Sequence, residues 1–179
     1  MGTRHRESLV AAESRRGADR VRVVFEVSYR RLVGQLYGVC GDLTEAEEVV
    51  AEAFARAVQH QRAFARLDNP EAWLRTVAVN VSRTRRRRAR MATEREHAEP
   101  RHPVLDDERL ALMEALRQLP LHQREAIALH YLADLPVKDV AECLGVPTGT
   151  VKTRLARGRA ALAVLLTVAP ESSEEARHG

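Results

Sequence analysis

Two runs of cationic side chains and one ladder of carboxylates are the residues of this chain best suited to chemistry. Lys152, Arg154, Arg157 and Arg159 follow one another with no acid between Thr148 and Arg159. Arg83, Arg85, Arg86, Arg87, Arg88 and Arg90 crowd the stretch 83–90. A guanidinium presents a planar fork of donors that matches a phosphate or the edge of a guanine. Such runs suit a polyanion, as do a formal net charge of +4 and a pI near 9.6. The carboxylates of Glu45, Glu48 and Glu52 recur at helical spacing on the polar face of a helix. Bond-making chemistry has no equivalent here. There is no Walker loop, no CxxC or HExxH spacing and no nucleophile–base pair. We expect no catalytic residue, no metal and no cofactor, and the chain is not expected to be an enzyme. Cys40 and Cys143 are far apart in sequence and are expected as reduced structural thiols.

The elements that must hold these residues can be read from spacing. Leu135 to Leu162 has the pattern of a helix-turn-helix. The first helix is expected over Val137 to Leu144. Gly145 follows, where a helix end needs a left-handed residue. Pro147 then opens a second helix from Thr148 to at least Arg159. Val140, Leu144, Val146, Val151 and Leu155 are spaced to fill the seam, and Ala141 is small where the helices cross. The cations are left on the free side, as entry into a major groove requires. An ordinary helical hairpin with a solvated basic face is the alternative.

Upstream, residues 1–19 lack clean periodicity and are expected as a flexible tail or frayed helix. From Arg20 a helical stripe begins, with Phe25, Tyr29, Leu32, Val33, Leu36, Tyr37 and Cys40. Gly41-Asp42 breaks it. Thr44 and Glu47 form a capping box for a second helix, whose stripe is Ala46, Val49, Val50, Ala53, Phe54, Ala57 and Val58. Residues 60–69 are expected as a loop. Asn69 caps and Pro70 opens a third helix, with Trp73, Leu74, Val77, Ala78 and Val81 buried. That helix runs on into the arginines, which form either a phosphate-binding helix or a solvated charge run. Trp73 lies in the buried stripe.

Residues 92–106 lose the pattern, contain Pro100 and Pro103, and are expected as a linker. Asp107 then caps a helix carrying Leu112, Leu116 and Leu119, which Pro120 ends. Another helix covers His122 to Leu132, with Ile127 and Tyr131 on one face. The tail 168–179 is polar. The fold class expected is all-α, in two small helical domains, 20–91 and 107–167. No apolar run reaches membrane-spanning length, and neither a signal-peptide core nor a disulfide framework is present, so the chain is expected in the cytoplasm.

This order of features resembles the extracytoplasmic-function sigma factors, two-domain specificity subunits of bacterial RNA polymerase. The residues that carry the resemblance are AEEVVAEAF (46–54), NPEAWLRTVAVN (69–80) with the RRRR after it, LRQLPLHQREAIALHYL (116–132) and LPVKDVAECLGVPTGTVKTRLARGRAAL (135–162). It spans about residues 20–166. It implies a chain that binds core RNA polymerase, recognises the −35 and −10 promoter elements and promotes DNA opening. Glu47, Glu48, Ala51 and Glu52 would contact the polymerase. The loop 62–69, with Trp73 and Asn80, would engage the −10 element, and Arg83, Arg85, Arg86, Arg87 and Arg88 would hold phosphates beside it. Thr148, Thr150, Lys152, Thr153, Arg154 and Arg157 would read the −35 element in the duplex. An anti-sigma factor is a further implied partner. The chain departs from the family in having Glu48-Val49-Val50-Ala51-Glu52 for the usual Asp-Leu-Val-Gln-Glu, and in having Thr84 where an Asp is frequent. Three other readings remain: a helix-turn-helix regulator that binds DNA unaided, an enzyme acting on nucleic acid, and a pure interaction protein.

Overall fold

A computed structural model describes residues 2–91 and 106–168. The linker expected over 92–106 and the tail expected over 168–179 lie almost wholly outside them. The described residues are helical and divide into two compact units, on either side of residue 101. No described helix is long and apolar enough to cross a membrane.

The first unit packs three long helices, α1 (Gly2–Cys40), α2 (Leu43–Gln59) and α4 (Pro70–Met91), with a short α3 (Gln61–Phe64). Its core is mainly aliphatic, with Phe54, Phe64 and Tyr37 also buried. Leu32 and Leu36 of α1, Val49 and Val50 of α2, and Leu74 and Val79 of α4 are all at most 1% exposed. Ala46, Ala53 and Ala57 are fully buried, and their small side chains allow α2 a close approach. Val58, expected in that stripe, is exposed.

Two expectations are corrected below. Helix α1 begins at Gly2, so of the two readings of residues 1–19, flexible tail or frayed helix, the helical one matches the described residues. The stretch lacks a stripe but is rich in Arg, Glu and Ala, which favour helix, and at Gly17 and Arg20 it docks on α3 and the loop beyond. The loop expected over 60–69 contains α3, whose Phe64 is 1% exposed. The cap of α2 is Asp42, not Thr44. Gly41 turns the chain with φ 75°, the helix starts at Leu43, and the amide left open is that of Glu45, which donates to Asp42 Oδ1 at 2.7 Å. Thr44 already lies within the first turn. The Asn69 cap is as expected, with the Ala72 amide 3.0 Å from its Oδ1.

The second unit contains α5 (Asp107–Gln118), α6 (Leu121–Ile127), α7 (Val137–Leu144) and α8 (Thr148–Val168). Asp106 rather than Asp107 caps α5, accepting from the Arg109 amide at 2.8 Å. The single helix expected over 122–132 is two pieces, because a π-helical turn, Ala128–Leu132, follows α6. A π turn advances fewer degrees per residue than an α turn. Ile127 stays buried, whereas Tyr131, expected on its face, is 49% exposed. Asp134 then takes a left-handed φ of 52°, and the Leu135 carbonyl lies 2.7 Å from His130 Nδ1.

The helix-turn-helix follows its sequence pattern closely. Gly145 closes α7 with φ 66°, and the Val146 amide reaches back to the Ala141 carbonyl at 3.1 Å. Val140, Ala141, Leu144, Val151 and Leu155 are buried in the seam, and Val146 is half-buried. Gly158 is a seam residue that spacing did not single out. A Cβ there would stand 2.8 Å from Ile127 Cγ1, so α8 lies against α6 at a distance only glycine permits without a shift. The Cys40 and Cys143 thiols are both buried.

Candidate nucleic-acid and partner interfaces

In the second unit, α8 buries Val151 and Leu155 and turns its cations outward. Thr148, Lys152, Thr153 and Arg157 are exposed, and Thr150 and Arg154 are half-buried. No acid occurs anywhere along α8. The Thr153 hydroxyl donates to the Gly149 carbonyl at 3.1 Å. Arg159 donates to the Tyr131 hydroxyl at 3.0 Å, which ties the exposed ring of the π turn to α8. A short, docked, acid-free helix face of this kind can read base edges through Arg and hold phosphates through Lys and Thr.

In the first unit, the arginine run is divided by helix geometry. At roughly 100° per residue, Asn80 comes back to within about 20° of the direction of Trp73 and Arg87 to within about 40°. Arg83 and Arg88 flank that direction, whereas Arg85 and Arg86 lie about 120° to 140° round, on the side facing α1 and α2. The contacts agree. Arg85 joins Glu48, and lies 3.4 Å from Glu45 and 3.3 Å from Glu52. Arg86 donates to the carbonyls of Val39 at 3.0 Å and Cys40 at 2.8 Å, satisfying the open C-terminal end of α1. Arg85 and Arg86 therefore hold the fold together in this structure. Arg87 and Arg88 are exposed, Arg83 is half-buried and Asn80 is exposed.

Trp73 is half-buried, its ring edge-on to Phe64 with centroids 5.6 Å apart. It thereby braces α3 against the start of α4. Deeper in, Arg75 is 7% exposed and donates to Gln35 Oε1 and Glu71 Oε1, each at 3.0 Å, while Glu71 also pairs with Arg31. This network locks α4 to α1. Spacing did not reveal it, because Arg75 and Gln35 look like ordinary surface residues in one dimension.

The carboxylates expected to face the polymerase are part of the same lattice. Glu48 is exposed and Glu52 half-buried, and both are joined to Arg85. Glu52 also pairs with Arg56 at 2.5 Å. Partial burial pushes the Glu52 carboxyl up, but the hydrogen bonds and charges of Arg56 and Arg85 outweigh this and hold it below the usual range. Glu45 goes the other way. Burial raises it, Arg85 only partly offsets that, and Glu48 raises it further. Its Oε1 is buried without a hydrogen-bond partner. Ala51 is exposed and Glu47 half-buried. Residues that the sequence assigned to two different partners, Glu48 and Glu52 to the polymerase and Arg85 to DNA, thus form one cluster.

Two helical units, one with an arginine-bearing helix braced by an aromatic pair and one with a docked basic helix, define an all-helical protein of two modules whose exposed cations suit DNA. The sigma-70 region 2 family model matches residues 24–91, and the sigma-70, region 4 model matches residues 109–162. The ECF RNA polymerase sigma factor SigM of Mycobacterium tuberculosis is 32% identical over 154 residues, covering 81% of this chain and 78% of that protein. SigW of Bacillus subtilis is 30% identical over 154 residues, covering 75% and 82%. Among solved structures, the sigma factor RpoE in complex with the anti-sigma factor NepR from Bartonella quintana superposes with a TM-score of 0.68 at 27% identity, over 83% of this chain and 98% of that one. The chain belongs to the sigma-70 family, as an extracytoplasmic-function RNA polymerase sigma factor. Its work is promoter recognition and transcription initiation through RNA polymerase.

Proposed function

We propose a division of that work among named residues. The exposed side of α2, with Glu47, Glu48, Ala51 and Glu52, joins core RNA polymerase. The face of α8 that carries Thr148, Thr150, Lys152, Thr153, Arg154 and Arg157 reads the −35 element. The loop 62–69 and the side of α4 that carries Trp73 and Asn80 engage the −10 element as it opens. Arg83, Arg87 and Arg88 continue that side as a phosphate track, while Arg85 and Arg86 position the helix. The observation that carries this reading is the division of the arginine run: Arg87 and Arg88 are exposed on the side of Trp73 and Asn80, whereas Arg85 and Arg86 are bonded to α1 and α2. Opening a promoter requires unstacked bases and a held single strand, which a cationic track beside an aromatic-braced loop can supply.

Two readers in one chain also raise each other's local concentration once either binds. The site of action is the cytoplasm, where polymerase and promoter are found, and the chain acts as a regulator of transcription rather than as an enzyme. An anti-sigma factor is a further partner, a reading supported by the complex of the Bartonella quintana relative with NepR. The test is in vitro transcription with core polymerase on genomic promoter fragments, with and without this chain. Transcription that depends on the chain, together with permanganate-reactive thymines in the −10 region, is the expected result. A tight footprint on duplex DNA without polymerase and no effect on transcription would favour an unaided helix-turn-helix regulator.

A further inference from the structure

The N-terminal part of α1 docks on the segment that precedes α4. At Gly17 the backbones of α1 and α3 touch: a Cβ there would stand 2.8 Å from the carbonyl oxygen of Gln61. One turn away, Arg20 grips the loop from below, donating to the carbonyls of Ala65 at 2.8 Å and Leu67 at 2.5 Å. These contacts fix α1 beside the loop over a further turn. Between them lies a cavity of about 390 Å³, lined by Glu13, Arg16, Arg20, Arg62, Ala65 and Arg66. Arg16, Arg62 and Arg66 are exposed. Arg16, Arg20, Arg62 and Arg66 line this groove beside one carboxylate, that of Glu13, and of the four Arg20 is already bonded to the loop carbonyls. Their distance apart in the chain, 16 and 20 against 62 and 66, means that only the docking of α1 brings them together.

We infer that this groove binds a phosphodiester, and that its occupant is the backbone of the promoter strand held by the adjoining loop. Guanidinium groups converging from two helices suit phosphate oxygens, which accept paired donors. The choice of DNA rests on the proposed −10 role of the segment 62–69, because Arg62 in α3 and Arg66 in the turn after it belong to that segment and a strand held there passes both. In this arrangement α1 is part of the promoter-opening surface, and Arg16 extends the cationic track beyond the one that α4 supplies.

The experiment compares holoenzyme made with the wild-type chain, with Arg16→Gln and with Arg16→Gln/Arg66→Gln, on a promoter fragment whose transcription depends on the chain. Opening is followed by permanganate reactivity over a salt series. Each phosphate contact on a single strand contributes about 0.7 to the slope of log K against log salt. The slope should fall by about 0.7 for the single variant and about 1.4 for the double. Glu13→Gln should shift affinity in the opposite direction, and replacing the contacted phosphate by a methylphosphonate should lower the wild-type slope but not that of the double variant. All three positions are exposed, so far-UV circular dichroism should not change. An unchanged slope in the double variant overturns the inference. If a polyglutamate peptide binds the wild type through the same arginines while the DNA slope stays constant, the groove belongs to an acidic protein partner. Failure of the −10 reading would appear differently, as normal opening by Trp73→Ala and Asn80→Ala chains.

Discussion

Arg85 of α4 and Glu52 of α2 stand 3.3 Å apart, with Glu45 and Glu48 on the same guanidinium. A residue expected to meet DNA and residues expected to meet polymerase therefore neutralise one another inside one domain. This changes how each can be tested. Reversing Glu48 and Glu52 to lysine would place two cations against Arg85, and loss of polymerase binding would then report a disturbed helix pair as readily as a lost contact.

The opposing shifts at Glu45 and Glu52 predict a pH signature. Glu52 is held low, so between its folded and unfolded values the unfolded chain carries more protons, and stability rises with pH and is lost as pH falls through the folded value. Glu45 is held high, so its contribution is complete below the unfolded value and disappears as pH rises through the folded one. Glu52→Gln should therefore flatten the rise of stability through the carboxylate range, and Glu45→Gln should flatten the decline just above it. Trp73 is the single tryptophan and lies in this unit, so its fluorescence in urea melts at a series of pH values reports the right transition. Parallel curves for both variants and the wild type would contradict the assignment.

The division of the arginine run predicts two different phenotypes. Arg87→Gln/Arg88→Gln should lower the salt slope of promoter opening by about 1.4, at roughly 0.7 per phosphate, with little change in urea stability. Arg86→Gln should instead destabilise the first unit by about 1 kcal/mol, because two carbonyls at the end of α1 lose a charged donor. A destabilised double variant, or an Arg86 variant altered only in its salt slope, would reverse the roles.

Capping offers a local test. Asp42→Ala should cost about 1 kcal/mol in the Trp73-monitored urea transition, whereas Thr44→Ala should be within about 0.5 kcal/mol of wild type. Equal losses would place the start of α2 one or two residues later.

Two glycines of α8 should respond in opposite ways. Gly149 has open space around the position of a Cβ, so Gly149→Ala should stabilise the second unit by about 0.5–1 kcal/mol. Gly158→Val pushes against Ile127, whose Cγ1 cannot swing away freely, and should cost about 1–3 kcal/mol. Thermal melts of the two variants, followed by far-UV circular dichroism without DNA, make the comparison.

For the −35 reader, Arg154→Ala should weaken binding of holoenzyme to the cognate upstream element by about 1–3 kcal/mol and relax discrimination at one base pair. Lys152→Ala should instead weaken cognate and altered sequences alike. Competition gel shifts with single-base variants of the element separate the two outcomes.

The sequence by itself determined whatever depends on neighbours a few residues apart. Gly145 and Pro147 bracket the turn because left-handed φ and a missing amide are properties of single residues. The Asn69 cap, the apolar stripes of α2 and α4 and the buried side of α8 follow from a 3.6-residue period. The family resemblance lay in the same local blocks. Tertiary structure decided everything that needed a partner from another helix. One arginine in the run looks much like the next until α2 supplies three carboxylates to Arg85 and α1 supplies two carbonyls to Arg86. Tyr131 leaves the face of Ile127 because a π turn changes the angular period between them. Gly158 and Gly17 matter only because another chain segment passes within reach of the Cβ they lack. The start of α1 carries no stripe to announce it, since Gly17 and Arg20 dock it through backbone contact and hydrogen bonds to carbonyls. Those contacts involve residues more than forty positions away, and no window along the chain contains both sides of them.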